Sequence, residues 1–112
     1  MSIYHSSEEL INRTAALLGK FVPGEALGAI EHDTLDRCID SVLAEIGKIV
    51  LIDREQIPDA YFETAARLCA IYAAADFSNA PLDLQAVKQH ESRLHYLVSQ
   101  SPTYEVLRTE YF

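Results

Sequence analysis

Apolar residues recur at steps of three and four in four separate stretches of the chain, and this spacing predicts four amphipathic helices. The first predicted helix begins at Ser6 or Ser7. Ser6 and Glu9 have the spacing of a capping box, in which each side chain accepts a hydrogen bond from the other residue's free backbone N–H. Gly19 and Pro23 end this helix, because proline cannot continue the helical hydrogen bonding.

Two further helices follow from the same spacing. One begins near Asp33 or Thr34 and ends within residues 47–49. The other, the last of the four, runs from about Leu82 to Gln100 after the turn that contains Pro81. Connections of moderate length between helices of this kind are typical of a helical bundle.

The third predicted helix is rich in alanine. Pro58 suits its first turn, where a missing N–H is no loss, and Asp59 favours the positive end of the helix dipole. Seven alanines lie between Ala60 and Ala75 and are spread around the helix. Because alanine lets neighbouring helices approach closely, we expect this helix to be central and to be contacted on more than one side.

The last twelve residues, "SPTYEVLRTEYF", do not continue the fourth helix beyond Pro102. Their apolar members are Tyr104, Val106, Leu107, Tyr111 and Phe112. The sequence therefore predicts an all-α fold, a four-helix bundle domain over residues 1–101 with an extended C-terminal arm over residues 102–112.

Composition and charge argue against some classes of function, namely nucleic-acid binding and membrane association. The chain has 112 residues, the size of one domain, and a net charge of −8 with basic residues scattered along it. A surface of this kind is ill suited to holding the phosphate backbone of nucleic acid. No signal peptide or membrane-length apolar run is visible, so we expect synthesis in the cytoplasm and no membrane partner.

The cysteines and histidines are residue types that can support chemistry, but their positions indicate structural roles. Cys38 and Cys69 lie on apolar helical patterns and are expected to be buried reduced thiols, and a disulfide requires that their helices pack face to face. His90 and His95 are five residues apart, so they lie on different faces of a helix and do not make a zinc motif.

Three aspartates line one face of the second helix: Asp33, Asp36 and Asp40. They are expected to form a solvated or interfacial stripe. No nucleophile elbow or phosphate-binding loop is present. The sequence therefore predicts a protein that is not an enzyme and has no metal or cofactor.

Two long stretches resemble tailed-phage head–tail adaptor (connector, or head-completion) proteins, most of all the tail accessory adaptor of P22-like short-tailed phages. They are "INRTAALLGKFVPGEALGAIEHDTLDRCIDSVLAEIGKI" and "IPDAYFETAARLCAIYAAADF". The matching positions in the first stretch are Leu18-Gly19, Gly24, Asp33–Leu35, Asp40 and Leu43–Glu45. In the second stretch a proline precedes an aromatic residue and an alanine-rich helix, as in that family.

The resemblance implies a structural virion protein of the neck. It implies a homo-oligomeric ring, usually of twelve copies, that binds the portal protein, closes the DNA-filled head and joins it to a tail or nozzle protein. DNA passes through such a ring without sequence-specific binding. The C-terminal arm is then the expected main interface, and the loop with Gly24, Leu27 and Ile30 a second contact. The alternative is a cytosolic helical interaction or regulatory module whose arm binds a partner.

Overall fold

The computed structural model describes residues 4–19 and 28–100. Most of these residues lie in four helices: α1 (Ser7–Leu17), α2 (Ala29–Ile46), α3 (Asp59–Ser78) and α4 (Leu84–Gln100). Two short extended segments accompany them, β1 (Tyr4–His5) and β2 (Ile57–Pro58). The predicted all-α class is confirmed.

The start of α1 is the predicted capping box. Ser6 Oγ accepts a hydrogen bond from the Glu9 N–H at 3.2 Å, and Glu9 Oε1 accepts one from the Ser6 N–H at 3.1 Å. A second carboxylate joins them from the segment between α2 and α3. Glu55 Oε2 accepts a hydrogen bond from Ser7 Oγ at 2.9 Å. The first turn of α1 is therefore stabilised both by the hydrogen bonds of its own capping box and by a hydrogen bond to Glu55, which is distant in the chain.

Helix α2 begins four residues earlier than the predicted Asp33. Gly28 is its N-cap, with extended backbone angles, and the Gly28 carbonyl accepts a hydrogen bond from the His32 N–H at 2.9 Å. The apolar spacing alone predicted a start near Asp33 or Thr34. Since the Gly28 cap makes no side-chain hydrogen bond, the usual sequence signal for a helix start is absent there.

Helices α3 and α4 are joined by the predicted "SNAP" turn. Asn79 ends α3 in the left-handed conformation, with φ 53°, and its N–H bonds to the Ala75 carbonyl. Asparagine tolerates this conformation better than most residues. The Asp83 side chain accepts a hydrogen bond from the Ala86 N–H at 3.1 Å, which caps α4, so α4 begins at Leu84 rather than at the predicted Leu82.

Helix α3 is the central element, as predicted. It packs extensively against α1, α2 and α4, and α1 also packs against α2. Ala65, Ala66 and Ala73 of α3 are fully buried, and their small side chains let the neighbouring helices approach. The largest fully buried side chains around them come from all four helices and β2: Leu10, Ile11, Leu35, Ile39, Ile46, Ile57, Leu68 and Leu94.

The pairing of β1 with β2 is a feature that the sequence pattern did not predict. The two segments are antiparallel, with Tyr4 opposite Pro58 and His5 opposite Ile57. Two-residue strands are too short to give a recognisable alternation of apolar and polar positions. The pairing brings Tyr4 and His5 to the segment directly before α3, where Ile57 is fully buried.

Candidate interaction site

Most residues of the predicted interface lie outside the described residues. These are Tyr104, Val106, Leu107, Tyr111 and Phe112 of the arm, and Gly24 and Leu27 of the loop. Ile30 is the one predicted interface residue that the structure describes. The predicted boundary between bundle and arm at residues 101 and 102 also lies beyond the described residues.

Ile30 lies in the first turn of α2 rather than in a loop, and it is 80% exposed. Its carbonyl accepts a hydrogen bond from Thr34 Oγ1 at 2.9 Å, so the backbone there is held in the helix. A single exposed isoleucine is common on protein surfaces. Its position, directly after the loop that the sequence predicts as a contact, keeps it a candidate for burial against a partner.

The described residues also form an open groove of about 630 Å³ between α2 and α3. It is lined by Thr34, Arg37, Cys38, Ser41, Tyr72 and Asp76. Arg37 and Cys38 of α2 are each three or four positions from both Thr34 and Ser41, and Tyr72 and Asp76 of α3 are four apart, so each set lies on one helical face. The groove therefore follows the line along which the two helices pack.

Cys38 lines this groove, and its thiol donates a hydrogen bond to Asp76 Oδ2 at 3.4 Å. Burial, with a further contribution from Asp76, raises the pKa of Cys38 to about 12. Cys69 is fully buried, and burial raises its pKa as well. Both cysteines are free and buried, which confirms the prediction of reduced thiols, and neither has the thiolate character of a nucleophile.

The α3 side of the groove is acidic. The pKa of Tyr72 is raised, first by partial burial and then by the nearby carboxylates of Glu45 on α2 and Glu91 on α4. Asp76 adds a further carboxylate one turn along α3. On the α2 side Arg37 also lines the groove, so its lining contains one acidic and one basic side chain.

The predicted aspartate stripe of α2 is held by two arginines. Arg37 contacts Asp33 at 3.1 Å within the helix. Arg54, from the segment that follows α2, donates hydrogen bonds to both Asp36 and Asp40. Arg54 was not predicted as part of this cluster, because nothing in its local pattern shows that the chain folds back along α2.

A second polar cluster that the sequence analysis missed surrounds His5. Its two ring nitrogens contact Glu9 and Asp59, at 2.9 and 2.7 Å, and its ring stacks on Phe62. His5 and Asp59 are separated by 54 positions in the chain, and they meet where β1 pairs with β2 at the start of α3. No local sequence signal identifies such a cluster.

Among residues 4–19 and 28–100, no group of three or more histidine, cysteine, aspartate or glutamate side chains is placed to hold a metal ion. None of the helices in those ranges combines the length and the apolar character that crossing a membrane requires. Comparison with protein-family models, with curated proteins and with solved structures gave no match to this chain.

Proposed function

We propose that this protein is a head–tail adaptor of a tailed phage. Copies of the chain form a ring beneath the portal protein in the virion neck, close the filled head and present a surface to the tail or nozzle protein. In this proposal residues 1–101 form a four-helix bundle, and residues 102–112 form an arm that reaches a neighbouring protein.

The observation that carries the proposal is a surplus of apolar residues beyond α4. The core of the described residues draws on every helix, and Leu94, Leu97 and Val98 near the end of α4 already pack against it. The arm then adds three aromatic and two aliphatic residues within nine positions. Aromatic side chains bury a large area at low entropic cost, which suits them to anchor an interface between proteins.

The exposed side chain of Ile30 supports a second contact with a partner, at the predicted site that also contains Gly24 and Leu27. Burying an exposed isoleucine against a partner is favourable by about 2 kcal/mol, so an interface that includes Ile30 gains from it. The resemblance of the flanking stretch to adaptor proteins supports the same location for a contact with a neighbouring subunit.

The acidic character of the chain is compatible with a conduit for DNA. A ring repeats the charge of each subunit around its lumen, so acidic groups that face the lumen repel the phosphate backbone. DNA then passes without being held. The net charge of −8 makes a sequence-specific DNA-binding role a poorer proposal.

The test is reconstitution with the portal protein of the same phage. The full chain and a chain ending at residue 101 are each mixed with portal rings and examined by native mass spectrometry and electron microscopy. We expect the full chain to add to the portal as a ring. The shortened chain keeps the helix content of α1–α4 but does not bind.

A matched pair of variants separates loss of the interface from loss of chain length. The first replaces Tyr104, Tyr111 and Phe112 with alanine, and the second replaces the polar residues Thr103 and Thr109 with alanine. The proposal requires that only the first variant fails to join the portal. If the shortened chain assembles normally, or if the full chain binds a cytosolic protein and not the portal, the adaptor proposal is wrong.

A further inference from the structure

His5 lies where the beginnings of two helices meet. Its Nδ1 atom is 2.9 Å from Glu9 Oε2 in the first turn of α1, and its Nε2 atom is 2.7 Å from Asp59 Oδ1 at the start of α3. The imidazole also stacks on Phe62 of α3, with ring centroids 4.1 Å apart. The side chain is therefore held on three sides.

The two carboxylates determine the protonation state that fits this geometry. An ionised carboxylate only accepts hydrogen bonds, so each ring nitrogen must carry a proton to bond to its partner. A neutral imidazole has one N–H, and its other nitrogen would direct a lone pair at a carboxylate oxygen. Only the doubly protonated, cationic ring satisfies both contacts.

We propose that His5 is a proton-dependent latch that fastens the N-terminal strand β1 to the start of α3. With the ring protonated, His5 joins Glu9 and Asp59 and holds β1 beside β2. When the proton is lost, one of the two bonds becomes repulsive and β1 separates from the start of α3. This inference rests on the local geometry and does not depend on the adaptor proposal.

The charged groups that face the ring are Glu9 from α1 and Asp59 from α3, while β2 (Ile57–Pro58) has no ionisable side chain. The hydrogen bond to Glu9, followed by that to Asp59, raises the pKa of His5 above its usual value of 6.5. A raised pKa means that the bond stabilises the folded state fully below pH 6.5. The stabilisation is lost as the pH rises through the pKa of the folded protein.

The partner carboxylate remains charged over the same interval. The bond to His5, then the bond to the Ser6 backbone, lowers the pKa of Glu9 below its usual value of 4.5. Glu9 is thus ionised whenever His5 gains or loses its proton near neutral pH. The latch is therefore closed in mildly acidic solution and opens as the pH rises through the raised pKa of His5.

His32 provides an internal control. Within residues 4–19 and 28–100, the carboxylate contact of His32 is made by Nε2, at 3.0 Å from both oxygens of Glu8. One N–H is enough for that contact, so a neutral imidazole satisfies it. The contact between His32 and Glu8 therefore does not require a doubly protonated ring.

The experiment is an NMR titration of the full chain from pH 5 to pH 10, with the ring signals of His5 and His32 followed together. We expect His5 to titrate above its usual value and the nuclear Overhauser contact between the His5 and Phe62 rings to disappear as it does so. Asp59→Asn lowers the His5 midpoint, whereas Glu8→Gln, which removes the charge beside His32, leaves it in place.

Two results would overturn the latch. One is a His5 midpoint at or below its usual value in the unaltered chain. The other is a ring contact with Phe62 that persists well above the midpoint, because β1 would then stay attached without the proton. The contact is read in the wild-type protein, so the test does not depend on any variant folding.

Discussion

Arg13 of α1 and Glu63 of α3 form a two-pronged ion pair across the helix interface. Arg13 Nε donates to Glu63 Oε1 at 2.9 Å, and the terminal nitrogen Nη2 donates to Oε2 at 2.8 Å. Arg67, one turn along α3, also contacts Glu63 at 3.1 Å. The planar guanidinium of Arg13 matches the carboxylate in both distance and direction, which a lysine cannot do.

This pair predicts an acid-sensitive component of stability. The bond to Arg13 is the main cause that lowers the pKa of Glu63 below its usual value of 4.5. The stabilisation is therefore present above that pH and is lost as the pH falls through the lowered pKa. Urea unfolding between pH 3 and pH 7 should show a steeper loss of stability on acidification in the wild type than in Glu63→Gln.

The two arginines serve as controls for each other. Arg13→Ala removes a link between helices, whereas Arg67→Ala removes a contact within α3, so we expect the first to lower stability more. Both side chains are substantially exposed, and added salt should reduce the difference. Equal effects of the two substitutions would contradict a role of the pair in joining α1 to α3.

Substitutions at Leu94 and Leu84 test which face of α4 packs against the core. Both lie on α4, but Leu94 is fully buried, whereas Leu84 is 63% exposed. Leu94→Ala should lower the free energy of unfolding by about 2–5 kcal/mol, since it leaves a cavity against the core. Leu84→Ala should change it by less than about 0.5 kcal/mol. Urea unfolding measures both, and similar losses would mean that α4 is not packed by this face.

The burial of Cys38 and Cys69 predicts that their thiols react slowly in the folded protein. With the pKa of Cys38 raised to about 12, few thiolates are present near pH 8. An aromatic disulfide reagent should therefore label both cysteines slowly in buffer and rapidly in urea. Asp76→Asn, which removes the carboxylate beside Cys38, should speed the labelling of Cys38 and leave Cys69 slow. Rapid labelling of the folded wild type would contradict this.

Some elements were predictable because their signals are local. The start of α1 follows from Ser6 and Glu9, three positions apart, and the start of α3 from Pro58 and Asp59. The predicted start of α2 was wrong, because its N-cap is a glycine, which has no side chain that could mark the helix start. The error therefore arose where the local signal is weakest, not where tertiary contacts override it.

The predicted interface stays a prediction, because Ile30 is the one member of it that the structure describes. That side chain is exposed, as an interface residue of the free protein is expected to be, although it lies in a helix and not in a loop. The groove beside Cys38 and Asp76 was not predicted, because its two walls come from helices whose packing register no sequence spacing reveals.

The sequence by itself determined the four helices, the alanine-rich character that makes α3 central, and the buried state of the two thiols. These follow from spacing and capping within a few residues. Only the tertiary structure decided which charged groups meet: His5 with Asp59, Arg13 with Glu63, and Arg54 with the aspartates of α2. The physical reason is that such contacts depend on the path of the whole chain, since their members are brought together by packing and not by their neighbours in sequence.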